Sequence, residues 1–335
     1  MKKLFMVLLA GLLIFVSFGE CASQEKTPIG IAVEFMNHAA SFYISQDQGW
    51  FEEEEFGLIS YENYVTGMAL ASALSRGDIQ VAYICLVPAI NAYANAKIPI
   101  KIIAGTHKHG YGLVVNPEKI KEIGDLESSD IRIGCVREGG AVDVLLHKTI
   151  DKYNLDEKKL LPHLQRMDPA KQLLAIKMEQ LDAAFLPEQW ATMAEEFGFK
   201  MLLTSEDIWP DMQGSVLVVK QELIKSYPDT VRKLVEISRR ATDWIKYNPE
   251  EAASIMARQL QVISETLFTH NKIENTGSLD ITPQVLFRSM ERLDYSTDIN
   301  QEIVQETIDY LVKLGYIKSS FDAENILDLG FLKNE

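Results

Sequence analysis

Two glycine-led apolar segments set the terms for this chain. The first runs His107-Lys108-His109-Gly110-Tyr111-Gly112-Leu113-Val114-Val115. The second, roughly a hundred residues later, runs Gly214-Ser215-Val216-Leu217-Val218-Val219. Each reads as a short strand followed by a polar turn and a helix start, at Asn116-Pro117-Glu118 and at Lys220-Gln221-Glu222. Two unrelated edge strands would look the same locally, but the flanking pattern favours another reading. A chain that leaves one lobe, builds a second and returns must cross twice, side by side. We read the two segments as those crossings. The cleft between such lobes is a natural ligand site.

The flanks repeat one grammar. Strand patterns over 28–35, 59–65, 79–85 and 98–105 alternate with helices before the first crossing. Thr66 caps one of these helices, Gly77 ends it, and Pro88 opens the next. After the crossing come strand patterns over 130–136, 160–167, 181–186 and 200–203. Their helices start at Ala141, at Asp168-Pro169 as N-cap and first-turn proline, and at Pro187. Such alternation implies two mostly parallel sheets with helices on both faces. From Pro228 onward the pattern is helical, with starts at Pro228, Pro249, Pro283 and Ile299. No strand pattern stands out after Val219, and the simplest packing lays this tail on the first lobe. The expectation is an α/β fold of two lobes, residues 27–109 with 215–335 and residues 110–214, joined by two crossing strands.

Residues 1–21 are read as a leader rather than as fold. Lys2 and Lys3 precede an apolar run over 4–18. As a helix this run spans about 22 Å, short of the roughly 30 Å hydrocarbon core. A basic start, a short apolar stretch and small residues describe a secretory signal. Ser17 and Gly19 suit an ordinary cleavage site. Cys21 offers the second reading, a lipoprotein signal whose cysteine is acylated, although Glu20 stands where a small residue is usual. Both readings export the protein, to the periplasm or the outer face of the cytoplasmic membrane. Beyond Cys21 only Cys85 and Cys135 remain, which is no disulfide framework. The formal net charge of −15 argues against a nucleic-acid partner, which needs clustered Lys and Arg. It leaves the sign of a small ligand open.

Several short runs then point to one family. They include Gly49-Trp50-Phe51-Glu52, Leu74-Ser75-Arg76-Gly77-Asp78-Ile79-Gln80-Val81-Ala82, and Gln180-Leu181-Asp182-Ala183-Ala184-Phe185 followed by Pro187-Glu188. Tyr227-Pro228-Asp229, Trp244-Ile245-Lys246-Tyr247-Asn248-Pro249-Glu250-Glu251-Ala252 and Leu314-Gly315-Tyr316-Ile317 continue the series through the tail. In order and spacing the chain resembles the periplasmic solute-binding proteins of ABC importers. Within them it resembles the nitrate, sulfonate, taurine and thiamine-pyrimidine-precursor binders. The resemblance implies a type II periplasmic-binding-protein fold that closes on a small solute and delivers it to a membrane permease. It also implies a monomer with no cofactor and no catalytic residue. The solute is left open among nitrate, bicarbonate, a sulfonate and a thiamine-pyrimidine-like heterocycle. Two other classes share features: an enzyme of the same fold that makes the thiamine pyrimidine with a cysteine-rich motif, and an exported sensor. No cysteine cluster or signalling domain is present for either.

Ligands in open parallel sheets bind at strand ends. The first lobe therefore offers Asn37, His38, Thr66, Gly67, Cys85 and Leu86. The crossings offer His109 and Gln213. The second lobe offers Arg137, Gly139, Gly140, Met167, Pro187 and Glu188. Gly139-Gly140 reads either as an anion nest at a helix start or as a tight turn. Ala141 removes a hydroxyl that sulfonate binders commonly carry there. Arg137 would add a charge for an anion, and Glu188 would repel one if it faced the cleft. His107 and His109 alternate along a strand and share a face. Such a pair ligates metal only with further groups, for which His38 and Glu188 at strand ends are the candidates. A polar rim is the plainer reading, and no metal is expected.

Overall fold

The computed structural model describes residues 29–56, 59–77, 79–270 and 281–333. The leader and Cys21 lie outside the described residues. In chain order the strands are β1 (Ile29–Glu34), β2 (Ile59–Tyr64), β3 (Val81–Cys85), β4 (Ile100–His109), β5 (Tyr111–Val115), β6 (Ile133–Cys135), β7 (Leu164–Arg166), β8 (Ala183–Pro187), β9 (Lys200–Thr204), β10 (Gln213–Lys220) and β11 (Leu293–Asp294).

They form two sheets. The first has the order β11-β4-β10-β3-β1-β2, the second β7-β6-β8-β5-β9. The first crossing is abrupt. β4 ends in one sheet at His109, and β5 opens the other at Tyr111, with Gly110 between. The return enters the first sheet as β10, antiparallel to β4, with Gln213 opposite Lys108. The two crossings thus lie side by side.

Most strands of each sheet run in one direction, as expected, and the returning strands make both sheets mixed. β1 runs parallel to β2 and β3, and β6 to β7 and β8. β10 and β5 run antiparallel to every strand they pair with. A strand arriving from the other lobe enters from the opposite end to strands laid down by helical crossovers. That reversal is the physical trace of the crossing.

Three local expectations change. The helix expected from Pro88 begins two residues earlier (Leu86–Ala94), with the proline in the first turn where no amide bond is lost. The strand expected over 160–167 shrinks to β7, because Asp156 caps a helical turn, Glu157–Leu160, that continues into a 3-10 turn, Leu161–His163. β11 pairs with the end of β4 and was too short to show as a sequence pattern.

The tail also departs from its simplest packing. Helices Pro228–Tyr247 and Pro249–His270 pack on helix Ala40–Asp47 of the first lobe. Helix Pro283–Met290 packs instead on helix Glu188–Glu195 of the second lobe. Farther on, helix Gln301–Lys313 reaches helix Ala141–Tyr153 through Glu306–Lys148 at 2.7 Å and Tyr310–Asp151 at 2.8 Å. The tail therefore straps both lobes. Two hydrophobic clusters flank the sheets, and alternation divides neighbours between them. Ile31 and Val33 join one cluster and Ala32 the other, and Val114 is separated likewise from Leu113 and Val115.

Candidate functional site

A cleft of about 530 Å³ opens where the strands of both lobes end. From the first lobe it is lined after β1 by Met36, after β2 by Thr66 and Gly67, and at the end of β3 by Cys85. From the second it is lined by Tyr111, by Arg137 and Gly140 after β6, by Asp168 and Lys171 after β7, and by Pro187 ending β8. Parallel strands bring their carboxyl ends to one edge, which is why residues so distant in sequence meet here.

Local chemistry shapes each wall. Thr66 Oγ1 accepts from the Ala69 amide at 3.3 Å and starts helix Gly67–Ala73. A side chain at Gly67 would overlap the Glu34 carboxylate and the Pro88 ring, so only glycine lets the wall sit this close. Arg137 and Lys171 are exposed in the cleft, and among the described residues neither side chain has an ionic or hydrogen-bonding protein partner. Asp168 is the carboxylate beside them, and its side chain makes no cap bond.

Of the fourteen residues expected at the ligand, six line the cleft: Thr66, Gly67, Cys85, Arg137, Gly140 and Pro187. Eight do not, and most of these serve the crossings or the core. The Asn37 side chain donates to Ser289 Oγ of the tail at 3.0 Å. His38 Nε2 donates to the Gly110 carbonyl at 2.7 Å. Leu86 is buried in the core. His109 turns the chain at φ 61°. Gln213 donates to the carbonyls of His107 and Ser215 at 2.9 and 3.0 Å. The Met167 side chain packs on the core, and its amide donates to the Cys135 carbonyl at 3.0 Å. Glu188 is 1% exposed and is paired with Arg292 at 2.9 Å, so its carboxylate is already engaged. The Gly139 amide donates to the Asp143 carboxylate at 3.0 Å. Asp143 also accepts from Arg166 and Tyr316. An internal carboxylate therefore takes an amide that an anion nest would have used.

Behind the cleft floor sits a group that strand-end reasoning overlooked. Glu34, the last residue of β1, is fully buried. Its carboxylate accepts from the Cys85 amide and from Cys85 Sγ, both at 3.0 Å. Burial pushes the Glu34 carboxyl up to about 7 against those two hydrogen bonds. Burial, reinforced by the Glu34 charge, pushes the Cys85 thiol well above its ordinary value. Tyr111 donates to Cys85 Sγ at 3.0 Å. Burial also drives His38 down to about 4, so its ring is neutral. The available signal was an acid closing an otherwise apolar buried strand, since unpaired acids are almost never fully buried.

The profile of the NMT1-like family matches residues 22–261, well over half of the chain. The chain belongs to the NMT1-like family. Among curated relatives, a Brucella abortus protein named only as a binding protein is 26% identical over 260 residues. That match covers 75% of this chain and 76% of the relative. Among solved structures, the alkanesulfonate-binding protein of Xanthomonas axonopodis superposes with TM-score 0.72 at 14% identity, covering 90% of this chain and 98% of the other. The periplasmic nitrate-binding protein of Synechocystis superposes with TM-score 0.74 at 14% identity, covering 92% and 88%. This NMT1-like chain therefore has the two-lobed periplasmic-binding-protein fold. Among its described residues no helix is long and apolar enough to cross a membrane.

Proposed function

We propose that this NMT1-like protein is the exported solute-binding component of an ABC importer, and that its solute is a small organic anion. One observation carries the anion. Arg137 and Lys171 stand exposed and unpaired, among the described residues, on one wall of the cleft, in a chain whose net charge is −15. Cations kept unpaired in an acidic protein are suited to a negatively charged group. The volume supports an organic body. At about 530 Å³ the cleft falls in the range of organic-ligand pockets, roughly 300–1,000 Å³. A lone inorganic oxyanion would fill little of it. Met36, Val136 and Pro187 add apolar wall for the rest of the solute.

Binding follows from the two lobes. A solute held by Thr66 on one side and Arg137 on the other contacts both at once. It stabilises the closed arrangement only by that differential contact. The closed form then docks on a membrane permease. The reading is of binding rather than catalysis, by a monomer. Export is supported by the basic start, the apolar run and Cys21, with an acylated Cys21 as the anchor.

The test is direct. Purified protein is screened by thermal unfolding against sulfonates, phosphorylated and uncharged heterocycles, and inorganic oxyanions, and co-purifying ligand is identified by mass spectrometry. A solute at a hundred times its Kd adds about 2.7 kcal/mol. At about 2–4 °C per kcal/mol for a chain of this size, the melting temperature rises by several degrees. Organic anions should give the hits. Hits confined to uncharged heterocycles would remove the anion from the reading, and no hit in any class would remove the solute.

A further inference from the structure

The cluster behind the cleft floor is more than an unusual core. Glu34, His38 and Cys85 each turn one metal-ligating atom toward the others, and these atoms all lie within 4.8 Å of one another. Cys85 Sγ is 3.0 Å from Glu34 Oε2 and 3.7 Å from His38 Nδ1. Donors on a tetrahedral zinc, with bonds of about 2.3 Å to sulfur and about 2.0–2.1 Å to nitrogen or oxygen, stand about 3.3–3.7 Å apart. The sulfur–nitrogen distance falls at the edge of that range, and the shorter sulfur–oxygen distance is that of the thiol hydrogen bond which a bound ion would replace.

The surroundings orient each donor. A carbonyl only accepts, so the Gly110 contact requires a proton on His38 Nε2 and leaves Nδ1 of the neutral ring as the lone pair facing sulfur. Second-shell bonds of this kind fix the tautomer of metal-bound histidines. The Cys85 amide steadies Glu34 through its other oxygen, and the Tyr111 hydroxyl donates to the sulfur and favours thiolate. For packing alone the cluster is costly, since buried ionisable groups are tolerated mainly when paired or ligating. Cys85 and Tyr111 both line the cleft, so the cluster adjoins solvent space through the thiol side.

We propose that Glu34, His38 and Cys85 form a binding site for a thiophilic divalent cation of the zinc class at the cleft floor. The mixed sulfur, nitrogen and oxygen set suits zinc or cobalt and disfavours magnesium or calcium. Charge balances. The Cys85 thiol proton leaves to solvent as the metal–sulfur bond forms, and one thiolate with one carboxylate neutralises the ion. Water or a cleft solute fills the remaining position. The site does not depend on which solute the cleft takes.

The experiment is a cobalt titration of the purified, chelator-stripped protein. One equivalent of Co²⁺ should produce a thiolate-to-cobalt charge-transfer band, and zinc should abolish it. Cys85→Ser should remove the band. His38→Gln should weaken binding by more than the 10–100-fold typical of an outer-shell change. Cys135→Ser, a buried thiol elsewhere, should change nothing. A second measurement guards against a misfolded variant. In the unmutated protein, zinc should slow alkylation of Cys85, but not of Cys135, by peptide mapping. Absence of the band and of Cys85 protection in the unmutated protein overturns the site, as does a band that survives in folded Cys85→Ser.

Discussion

The guanidinium of Arg292 lies 2.9 Å from the carboxylate of Glu188 and joins the tail to the second lobe. Its other arm reaches Glu195 at 3.0 Å, and Arg288 adds Glu196 at 2.6 Å. Glu188 follows directly on Pro187, which lines the cleft. The strap on the second lobe is thus one residue from the cleft wall.

This pairing predicts a pH dependence. Burial pushes the Glu188 carboxyl from its ordinary 4.5 up to about 7, more than Arg292 pulls it down. Its Oε2 atom is buried without a hydrogen-bond partner. Between those values the folded chain keeps a proton that the unfolded chain has lost. Stability from this group is therefore full below about pH 4.5 and is lost as pH rises through about 7, by up to about 3 kcal/mol. Denaturant unfolding from pH 5 to 8 should show the decline, and Glu188→Gln should reduce it to the part that the Glu34 carboxyl, likewise raised to about 7, contributes. Equal slopes in the two proteins would contradict the assignment.

The cleft predicts a division of labour. Arg137→Ala and Lys171→Ala should each weaken an organic-anion hit while leaving the melting temperature of the free protein nearly unchanged, since both are exposed surface residues. Thr66→Ala should weaken the same hit and also cost about 1 kcal/mol of fold stability for the lost cap. Calorimetric titration separates the two effects. Affinity that survives all three substitutions would place the solute elsewhere.

Gly67 predicts a steric penalty. A methyl group there would overlap the Glu34 carboxylate and the Pro88 ring. Gly67→Ala should cost about 1–3 kcal/mol, as overpacking typically does. Denaturant unfolding that matches the unmutated protein would show that the wall yields.

Cys21 predicts a fractionation. If it is acylated, Cys21→Ser should move the protein from the membrane to the soluble fraction. An unchanged distribution leaves the plain secretory reading.

The crossing strands and the helix starts were legible in the sequence because their signals are local. Helix Ala141–Tyr153 begins and ends where its pattern does, and Pro228, Pro249 and Pro283 each open a helix. The glycines of the crossings also have local cause. Gly110 turns at φ 91°, and a side chain on Gly214 would overlap the His107 ring. Strand-end reasoning placed Thr66, Cys85 and Arg137 on the cleft, since parallel strands end together. Partnership was different. Glu34 meets Cys85 across 51 residues because β1 and β3 run parallel in register, with Val33 opposite Tyr83. Glu188 finds Arg292 across 104 residues because the tail crosses back over the second lobe. Turn chemistry and periodicity act within a few residues and can be read from the chain. Which charge is spent in a pair and which stays free for a ligand depends on packing between distant segments, and only the tertiary structure decided it.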